Sequence, residues 1–148
     1  MIHGLGNVGK NVLQALETSP DMQCVGVLRQ AGSIGTRAHE LRGVPEFSDL
    51  DALIRTVGKP PVVILCGPSR KAPENAAHFL SAGFHTVDSF DIHTDIPDVV
   101  NKLDATAKAS GRTAITAAGW DPGTDSVMRA LFEAMAPVGT TFTNFGRG

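Results

Sequence analysis

The chain has 148 residues, of which 42% are hydrophobic and 19% are charged, and its formal net charge at pH 7 is -2. This composition predicts one globular domain with an apolar core and excludes a disordered chain. The small net charge gives no reason to expect a nucleic acid or a membrane surface as partner, and no apolar run approaches the roughly 20 residues that span a bilayer.

Two features predict the cellular location of the chain and whether it is part of a longer protein. Cys24 and Cys66 each lie in an apolar, strand-like run, which predicts buried free thiols and a reducing, cytoplasmic location. The opening strand has few residues before the first glycine, whereas parallel strands usually have about five or six. Because residues 140–148 resemble a strand entering a turn, we expect a piece of a longer protein.

A glycine-rich turn lies near the start of the chain. Residues 4–9 read Gly-Leu-Gly-Asn-Val-Gly, and a helical pattern of apolar residues extends to residue 18. A strand, a tight turn and a helix in this order are typical of dinucleotide-binding domains, in which the helix N-terminus holds the pyrophosphate. A glycine-rich turn without a ligand is the alternative. The residues predicted to bind the cofactor here are Gly4, Leu5, Gly6, Asn7, Val8 and Gly9.

The rest of the chain alternates between strand-like and helix-like segments. The nearly continuous apolar run at 22–28 indicates a parallel strand that is covered on both faces, and further strands are predicted at 61–66, 84–87 and 112–117. Helical patterns occupy 36–41, 47–54, 73–82, 98–110 and 126–135, the second with Ser48 as its predicted N-cap. The pattern predicts an α/β fold with a Rossmann-like, doubly wound parallel sheet.

The residue after the second strand bears on the choice of cofactor. NAD-binding domains carry Asp or Glu about 20 residues beyond the glycines. Here Arg29 occupies that place, followed by Gln30 and later by Ser33. A guanidinium suits the 2′-phosphate of NADP through charge-assisted hydrogen bonds. We therefore favour NADP, with Arg29 and Gln30 as ligands; an ordinary solvated arginine at a strand end is the alternative.

Polar loops follow three later strands, at the carboxyl edge where open α/β sheets bind ligands. The first loop contains Gly67, Pro68 and Ser69, whose backbone can approach a cofactor; a plain turn is the alternative. The second contains Asp91, His93 and Asp95, and the third contains Trp120, Asp121, Pro122 and Gly123.

Asp91 and Asp121 are the candidate catalytic residues. Two carboxylates that face one pocket can hold an ammonium group or accept protons from an amine. Helix capping or turn formation is the ordinary role for an aspartate in such a loop, and it is the stronger alternative for Asp95. No group of His, Cys and carboxylate residues has the spacing of metal ligands, so no metal is expected.

These segments together resemble the meso-diaminopimelate dehydrogenase family. The Thr-Val-Asp-Ser-Phe-Asp-Ile-His and Gly-Trp-Asp-Pro-Gly motifs are far more specific than the glycine-rich turn, and the likeness covers essentially the whole chain. The matching segments are residues 3–9, 20–27, 65–69, 86–93, 95–97 and 119–123.

The resemblance implies both an architecture and a reaction. It implies a dinucleotide-binding domain at residues 1–136, the start of a substrate and dimerisation domain at 137–148, and a homodimer. The implied reaction is the reversible, NADP-dependent oxidative deamination of meso-2,6-diaminopimelate at its D-configured centre, which gives L-2-amino-6-oxopimelate in lysine biosynthesis. The family's two carboxylates around the D-amino group fall on Asp91 and Asp121.

Other roles also follow from the resemblance. Residues 5–8 and the region of Arg29 take the cofactor, and His93, Pro122 and Gly123 lie beside the nicotinamide. Asp95, Trp120 and Phe145 are expected to contact the substrate, with burial in the core as the alternative for Trp120. The family residues that hold the L-configured end of the substrate would come after Gly148.

Two departures from the family pattern keep other functions open. Ile92 stands where the family often has Asn, and Phe145-Gly-Arg-Gly stands where many members have Trp-Gly-Pro-Gly. These changes suggest a different substrate breadth, toward other D-amino acids. The alternatives are a related NADP-dependent D-amino-acid dehydrogenase, a dihydrodipicolinate-reductase-like enzyme, and a truncated, non-catalytic dinucleotide-binding module.

Overall fold

Six parallel strands form one sheet in the computed structural model, which describes residues 1–139. Their order across the sheet is β3-β2-β1-β4-β5-β6, so the chain winds in one direction from β1 and in the other from β4. The predicted Rossmann-like α/β fold is confirmed. The strands are β1 (Ile2–His3), β2 (Val27–Leu28), β3 (Glu46–Phe47), β4 (Val62–Leu65), β5 (His85–Asp88) and β6 (Ala114–Ile115).

Helices connect the strands as the periodicity predicts, with ends that shift by a few residues. They are α1 (Asn7–Glu17), α2 (Leu50–Val57), α3 (Ala72–Ser81), α4 (Ile96–Ser110) and α5 (Thr124–Met135). Short 3-10 turns lie at Ala31–Ser33, Ala38–Leu41, Ser69–Lys71 and His93–Asp95. The predicted cap of α2 is wrong: Asp49, not Ser48, accepts a hydrogen bond from the backbone N–H of Ala52, at 2.8 Å.

Two predictions about the strands need correction. The run at 22–28 forms paired strand only at Val27–Leu28, because its neighbours β1 and β3 offer only two residues each for pairing. Strand β3 was not predicted, since a two-residue strand has no period and Phe47 was placed in the following helix. The resulting ladder fixes where the loop between β2 and β3 begins and ends.

The sheet is covered by apolar layers on both faces, as the continuous apolar strands require. One layer packs α1 on β1 and β2, with Ile2, Leu13 and Val27 fully buried. The other packs α2, α3 and α4 on the opposite face around residues such as Val63 and Phe84. Within the described part of the chain, none of the helices has the length and apolar character needed to cross a membrane.

Candidate dinucleotide and substrate site

A cavity of about 800 Å³ lies at the carboxyl edge of the sheet, above the point where the strand order reverses between β1 and β4. Ligands of doubly wound sheets bind at this position. The cavity is lined by residues of the glycine-rich turn, of the segment after β2, and of the segment after β4. Among them are Gly4, Leu5, Gly6, Arg29, Gln30, Ser33, Thr36, Arg37, Gly67, Pro68 and Lys71.

The three glycines of the turn have different surroundings. Gly4 has a φ of 97°, in the left-handed region that side chains rarely adopt. A Cβ on Gly9 would lie 2.1 Å from the carbonyl oxygen of Gly4, so only glycine lets α1 pack against the turn. A Cβ on Gly6 would meet nothing within 4 Å, because this position faces the open cavity.

These surroundings fit a dinucleotide. Gly6 is the N-cap residue of α1 and has no side chain that could bond the first N–H groups of the helix. An anion in the cavity can therefore accept hydrogen bonds from those groups and benefit from the helix dipole. His3 also lines the cavity; burial, and then the neighbouring His78, lower the pKa of the His3 imidazole and keep it neutral at pH 7.

Arg29 is not the open cation that the sequence suggests. It is only 8% exposed, and its guanidinium already has protein partners. Nη1 donates to Glu46 Oε2 at 2.6 Å and to the Thr36 carbonyl oxygen at 2.8 Å, and Nη2 donates to Thr36 Oγ1 at 2.9 Å. Arg29 therefore ties the loop that follows β2 to strand β3.

Glu46 completes this arrangement from β3. Its Oε1 accepts a hydrogen bond from the backbone N–H of Gly35 at 2.7 Å. That hydrogen bond, together with the Arg29 guanidinium, lowers the pKa of the Glu46 carboxyl from its ordinary value of 4.5. The carboxylate is therefore ionised near neutral pH, and it holds Gly35 and Arg29 together.

Asp91 lies in the loop after β5, beside the loop after β4. The Ser69 hydroxyl donates a hydrogen bond to Asp91 Oδ1, and the backbone N–H of Asp91 donates to Ser69 Oγ at 3.3 Å. Ser69 directly follows Gly67 and Pro68, which line the dinucleotide cavity. The first acidic loop is thus attached to one wall of that cavity.

Asp121 lies in the loop after β6 and contacts the loop that carries Asp91. His93 Nε2 lies 3.5 Å from Asp121 Oδ1, and Arg129 Nη2 on α5 lies 2.9 Å from the same oxygen. Arg129 Nε also contacts Asp125 Oδ2 at 3.3 Å. The side chain of Asp121 remains 41% exposed, so it is accessible to a cationic ligand.

Asp88, at the end of β5, connects the two acidic loops, which are the loop with Asp91 after β5 and the loop with Asp121 after β6. It is 2% exposed, and its Oδ1 accepts hydrogen bonds from the Phe90 N–H at 2.9 Å, the Thr116 hydroxyl at 2.8 Å and the Ala117 N–H at 3.3 Å. Sequence reasoning missed Asp88 and Arg129. The available signals were an acid at the end of a predicted strand and an arginine in the helix that follows the Gly-Trp-Asp-Pro-Gly motif.

The structure does not bring every predicted residue to the cavity wall. Of the predicted cofactor residues, Asn7, Val8, Gly9, Ser69, His93, Pro122 and Gly123 do not line it, and neither do the candidate catalytic residues Asp91 and Asp121. Asp95 accepts a hydrogen bond from the hydroxyl of neighbouring Thr94 at 2.8 Å, and its side chain does not cap α4. Trp120 is 50% exposed, not a core residue. Phe145 lies outside the described residues.

Between residues 1 and 139, no group of three or more His, Cys, Asp or Glu side chains is arranged to hold a metal ion. The fold, the glycine-rich turn and the cavity at the switch point together define a dinucleotide-binding domain of the Rossmann type. Residues 4–116 match the family model of the homoserine dehydrogenase NAD-binding domain, and the chain belongs to that family.

Comparison with known proteins confirms the expected resemblance to diaminopimelate dehydrogenases. The chain is 46% identical over 147 residues to a meso-diaminopimelate D-dehydrogenase of Bacteroides fragilis, with 99% of this chain and 48% of the relative covered. It thus spans about half the length of the curated relatives that it matches. The part it matches is their N-terminal half.

Two solved structures are also similar. One is C. glutamicum DAP dehydrogenase in complex with DAP, with a TM-score of 0.75, 32% identity, and coverage of 90% of this chain and 40% of that one. The other is an engineered D-amino acid dehydrogenase bound to NADP+, with a TM-score of 0.74, 32% identity, and the same coverage of 90% and 40%.

Proposed function

We propose that this chain is the dinucleotide-binding part of an NADP-dependent dehydrogenase that oxidatively deaminates meso-2,6-diaminopimelate at its D-configured centre. The observation that carries the proposal is the contact between the two acidic loops beside the cavity: His93, two residues from Asp91, lies 3.5 Å from Asp121. The names of the relatives, and the similar structures with DAP and with NADP+, support the same reaction.

The acidic residues have defined roles in this proposal. Asp91 and Asp121 hold the ammonium group of the substrate and take up its proton as the amine becomes reactive. The bound nicotinamide cofactor supplies the hydride acceptor. Loss of a hydride from the α-carbon and of a proton from the amine leaves an imine, which water hydrolyses to L-2-amino-6-oxopimelate and ammonia.

The other side chains of the site position these two acids. Ser69 holds Asp91 beside the loop whose residues Gly67 and Pro68 line the cavity, and Arg129 holds Asp121. Positioning of this kind contributes to the rate because the reacting groups need no further search for the correct geometry. For the whole protein we further propose a cytoplasmic homodimer in which residues 137–148 begin a second, substrate-binding domain.

The test is NADP-linked oxidation of meso-diaminopimelate by the whole protein and by its Asp121→Asn variant. We expect Asp121→Asn to lower the turnover number by well over tenfold, because an amide cannot take up the proton, while the Kd for NADPH changes by less than about twofold. Asp104→Asn is the matched control, since Asp104 lies on α4 in an exposed pair with Lys108. It should retain wild-type turnover.

The stereochemistry of the substrate provides a second control. LL-diaminopimelate has no D-configured centre and should not be oxidised. Equal losses of turnover and of NADPH affinity in Asp121→Asn would contradict the role assigned to this residue. Tight NADPH binding by a wild-type chain that turns over none of these substrates would instead support the non-catalytic dinucleotide-binding module.

A further inference from the structure

Two arginines line the cavity beyond the end of β2, where a doubly wound fold places the adenosine ribose. They are Arg29, at the strand end, and Arg37, in the loop that follows. The cavity lining also includes Lys71, which follows β4 and pairs with Glu74 at 3.0 Å. The two arginines are therefore the candidates for contact with a phosphate on the ribose.

The bonds of Arg29 make it a poor phosphate ligand. Both of its terminal nitrogens donate to Glu46 or Thr36, and its side chain is 6% exposed. These bonds use three of the five guanidinium N–H groups, so a 2′-phosphate at Arg29 would have only the other two on a nearly buried side chain, and it would approach the Glu46 carboxylate that Arg29 neutralises. The geometry makes Arg29 a scaffold for the loop.

Arg37 has the opposite character. Its side chain is 49% exposed, and its nearest acidic partner is Glu40 at 3.6 Å. The Glu40 side chain is 20% exposed, but at 3.6 Å the two groups form no hydrogen bond, so the pair is weak and a phosphate can compete for the exposed Arg37 guanidinium. Arg37 is thus a cation on the cavity wall whose guanidinium can turn toward a ligand.

The neighbouring residues fix the position of the Arg37 backbone. Thr36, the residue directly before it, is bound to Arg29 through both its carbonyl and its hydroxyl oxygen. Arg37 itself has a φ of 58°, a left-handed conformation that non-glycine residues rarely adopt. Such conformations cluster at functional sites, where the surrounding structure holds them in place.

From these observations we infer that Arg37, and not Arg29, binds the 2′-phosphate and sets the preference for NADP over NAD. Arg29 acts as a positioning residue that anchors Thr36. The inference rests on the proposed use of NADP and assigns its specificity to a residue well beyond the usual strand-end position. The phosphate dianion would receive charge-assisted hydrogen bonds from the Arg37 guanidinium.

The experiment measures the affinities of NADPH and NADH, and of 2′,5′-ADP and 5′-AMP, for the wild-type chain and for Arg37→Gln. The first pair reports on the whole cofactor and the second on the adenosine half alone. We expect Arg37→Gln to weaken NADPH and 2′,5′-ADP by about 10- to 100-fold, as loss of a hydrogen bond to a charged group does, and to leave NADH and 5′-AMP within about twofold.

Arg42→Gln is the matched control. Arg42 lies in the same loop, also has positive φ, at 52°, and pairs with Glu17 at 2.8 Å, but it does not line the cavity. It should keep the wild-type preference. Arg37→Lys retains the charge without the planar fork and should restore part of the preference, which separates loss of a ligand from loss of the loop.

The outcomes separate the two proposals. A wild-type chain that binds NADPH and NADH equally would refute both the proposed use of NADP and this inference. If Arg37→Gln keeps the wild-type preference for NADPH, the inference alone is refuted. Arg29 would then be the candidate ligand of the 2′-phosphate. An equal loss of preference in Arg42→Gln would also refute it, because the effect would then belong to loop charge in general.

Discussion

At the residue scale, the loop after β2 depends on one ion pair between the buried Arg29 and the partly buried Glu46. Glu46 and Arg29 have side chains that are 14% and 6% exposed, and their nitrogen and oxygen lie 2.6 Å apart. Removing one partner is destabilising, because the other charge is left without compensation in partly buried surroundings. The pair lies close to the cavity, so its loss affects both stability and cofactor binding.

We expect this pair to give the chain a measurable loss of stability in acid. The Gly35 N–H and the Arg29 guanidinium lower the pKa of Glu46 below 4.5 in the folded chain. The unfolded chain therefore binds more protons, so the contribution of Glu46 is complete above pH 4.5 and is lost as the pH falls through the folded pKa. Urea unfolding over a pH series measures the effect.

Glu46→Gln is the variant that tests this loss of stability at acid pH. It should be less stable than the wild type at pH 7 and should lose less stability on acidification, so the two curves converge. Glu74→Gln is the control, since Glu74 forms an exposed pair with Lys71, and its curve should follow the wild type. Parallel curves for the wild type and Glu46→Gln would contradict the assignment.

The same residues mark how far the sequence alone can lead. An arginine 20 residues after the last glycine was recognised from its position. Its partner Glu46 lies 17 residues further on, in a strand too short to show a period. Residue type and spacing therefore indicated the charge at the strand end, but only the pairing of β2 with β3 revealed that the charge is already compensated.

At the scale of elements, the glycine-rich turn links a strand, a helix and a cavity. Gly9 permits close packing of α1, and Gly6 faces the cavity. The two glycines can be tested separately, because Gly9 affects the stability of the fold and Gly6 affects ligand binding. A pair of alanine substitutions tests them independently.

We expect Gly9→Ala to unfold or severely destabilise the chain, by about 3 kcal/mol or more, because the new Cβ would lie 2.1 Å from the Gly4 oxygen. Gly6→Ala should stay within about 1 kcal/mol of the wild type, the usual range for a change of cap residue. It should nevertheless weaken NADPH and NADH alike, because the methyl group occupies the space of the phosphates. Thermal unfolding and fluorescence titration measure both effects. Wild-type affinity in Gly6→Ala would contradict the proposed position of the pyrophosphate.

Two other elements meet through Asp88. The loop after β5 contributes the Phe90 N–H and the end of β6 contributes Thr116 and Ala117, all bonded to one carboxylate oxygen. The strands and most helices could be predicted from periodicity, and their loops could be assigned to one edge of the sheet. The bonds between the loops could not, because hydrogen bonds between distant loops leave no periodic signal in the sequence.

At the scale of the whole molecule, the fold was predictable because continuous apolar strands alternate with amphipathic helices. The exposure of the apolar residues on α5 could not be predicted in the same way. Val127, Leu131 and Met135 are 61%, 52% and 81% exposed, although their spacing is that of a buried helix face. Periodicity identifies the apolar face of a helix, but the packing that would cover it is a property of the assembled protein.

The buried thiol of Cys66 gives a probe of the whole sheet. Cys24 and Cys66 are free, and Cys66 directly follows β4 in the apolar layer beneath α1. Burial, and then the nearby Cys24, raise the pKa of the Cys66 thiol to about 11. Because the thiolate is the reactive form and Cys66 is only 8% exposed on the wall of the cavity, it should react slowly with thiol reagents at pH 8 in the folded chain.

We therefore expect NADPH to slow the labelling of Cys66 in a Cys24→Ser variant, because it stabilises the folded state and also covers the part of the cavity wall where Cys66 lies. A ligand at 100 times its Kd stabilises the folded state by about 2.7 kcal/mol, which corresponds to about 100-fold slower labelling if the sheet opens as one unit. Gly6→Ala added to this variant is the control, since it should fold but bind NADPH weakly and so lose the protection. Labelling of the folded wild type at the rate of the urea-unfolded chain would contradict the burial of Cys66. Protection far below 100-fold, with binding intact, would instead mean that β4 opens without disturbing the cavity, so the cofactor would not be coupled to the stability of the sheet.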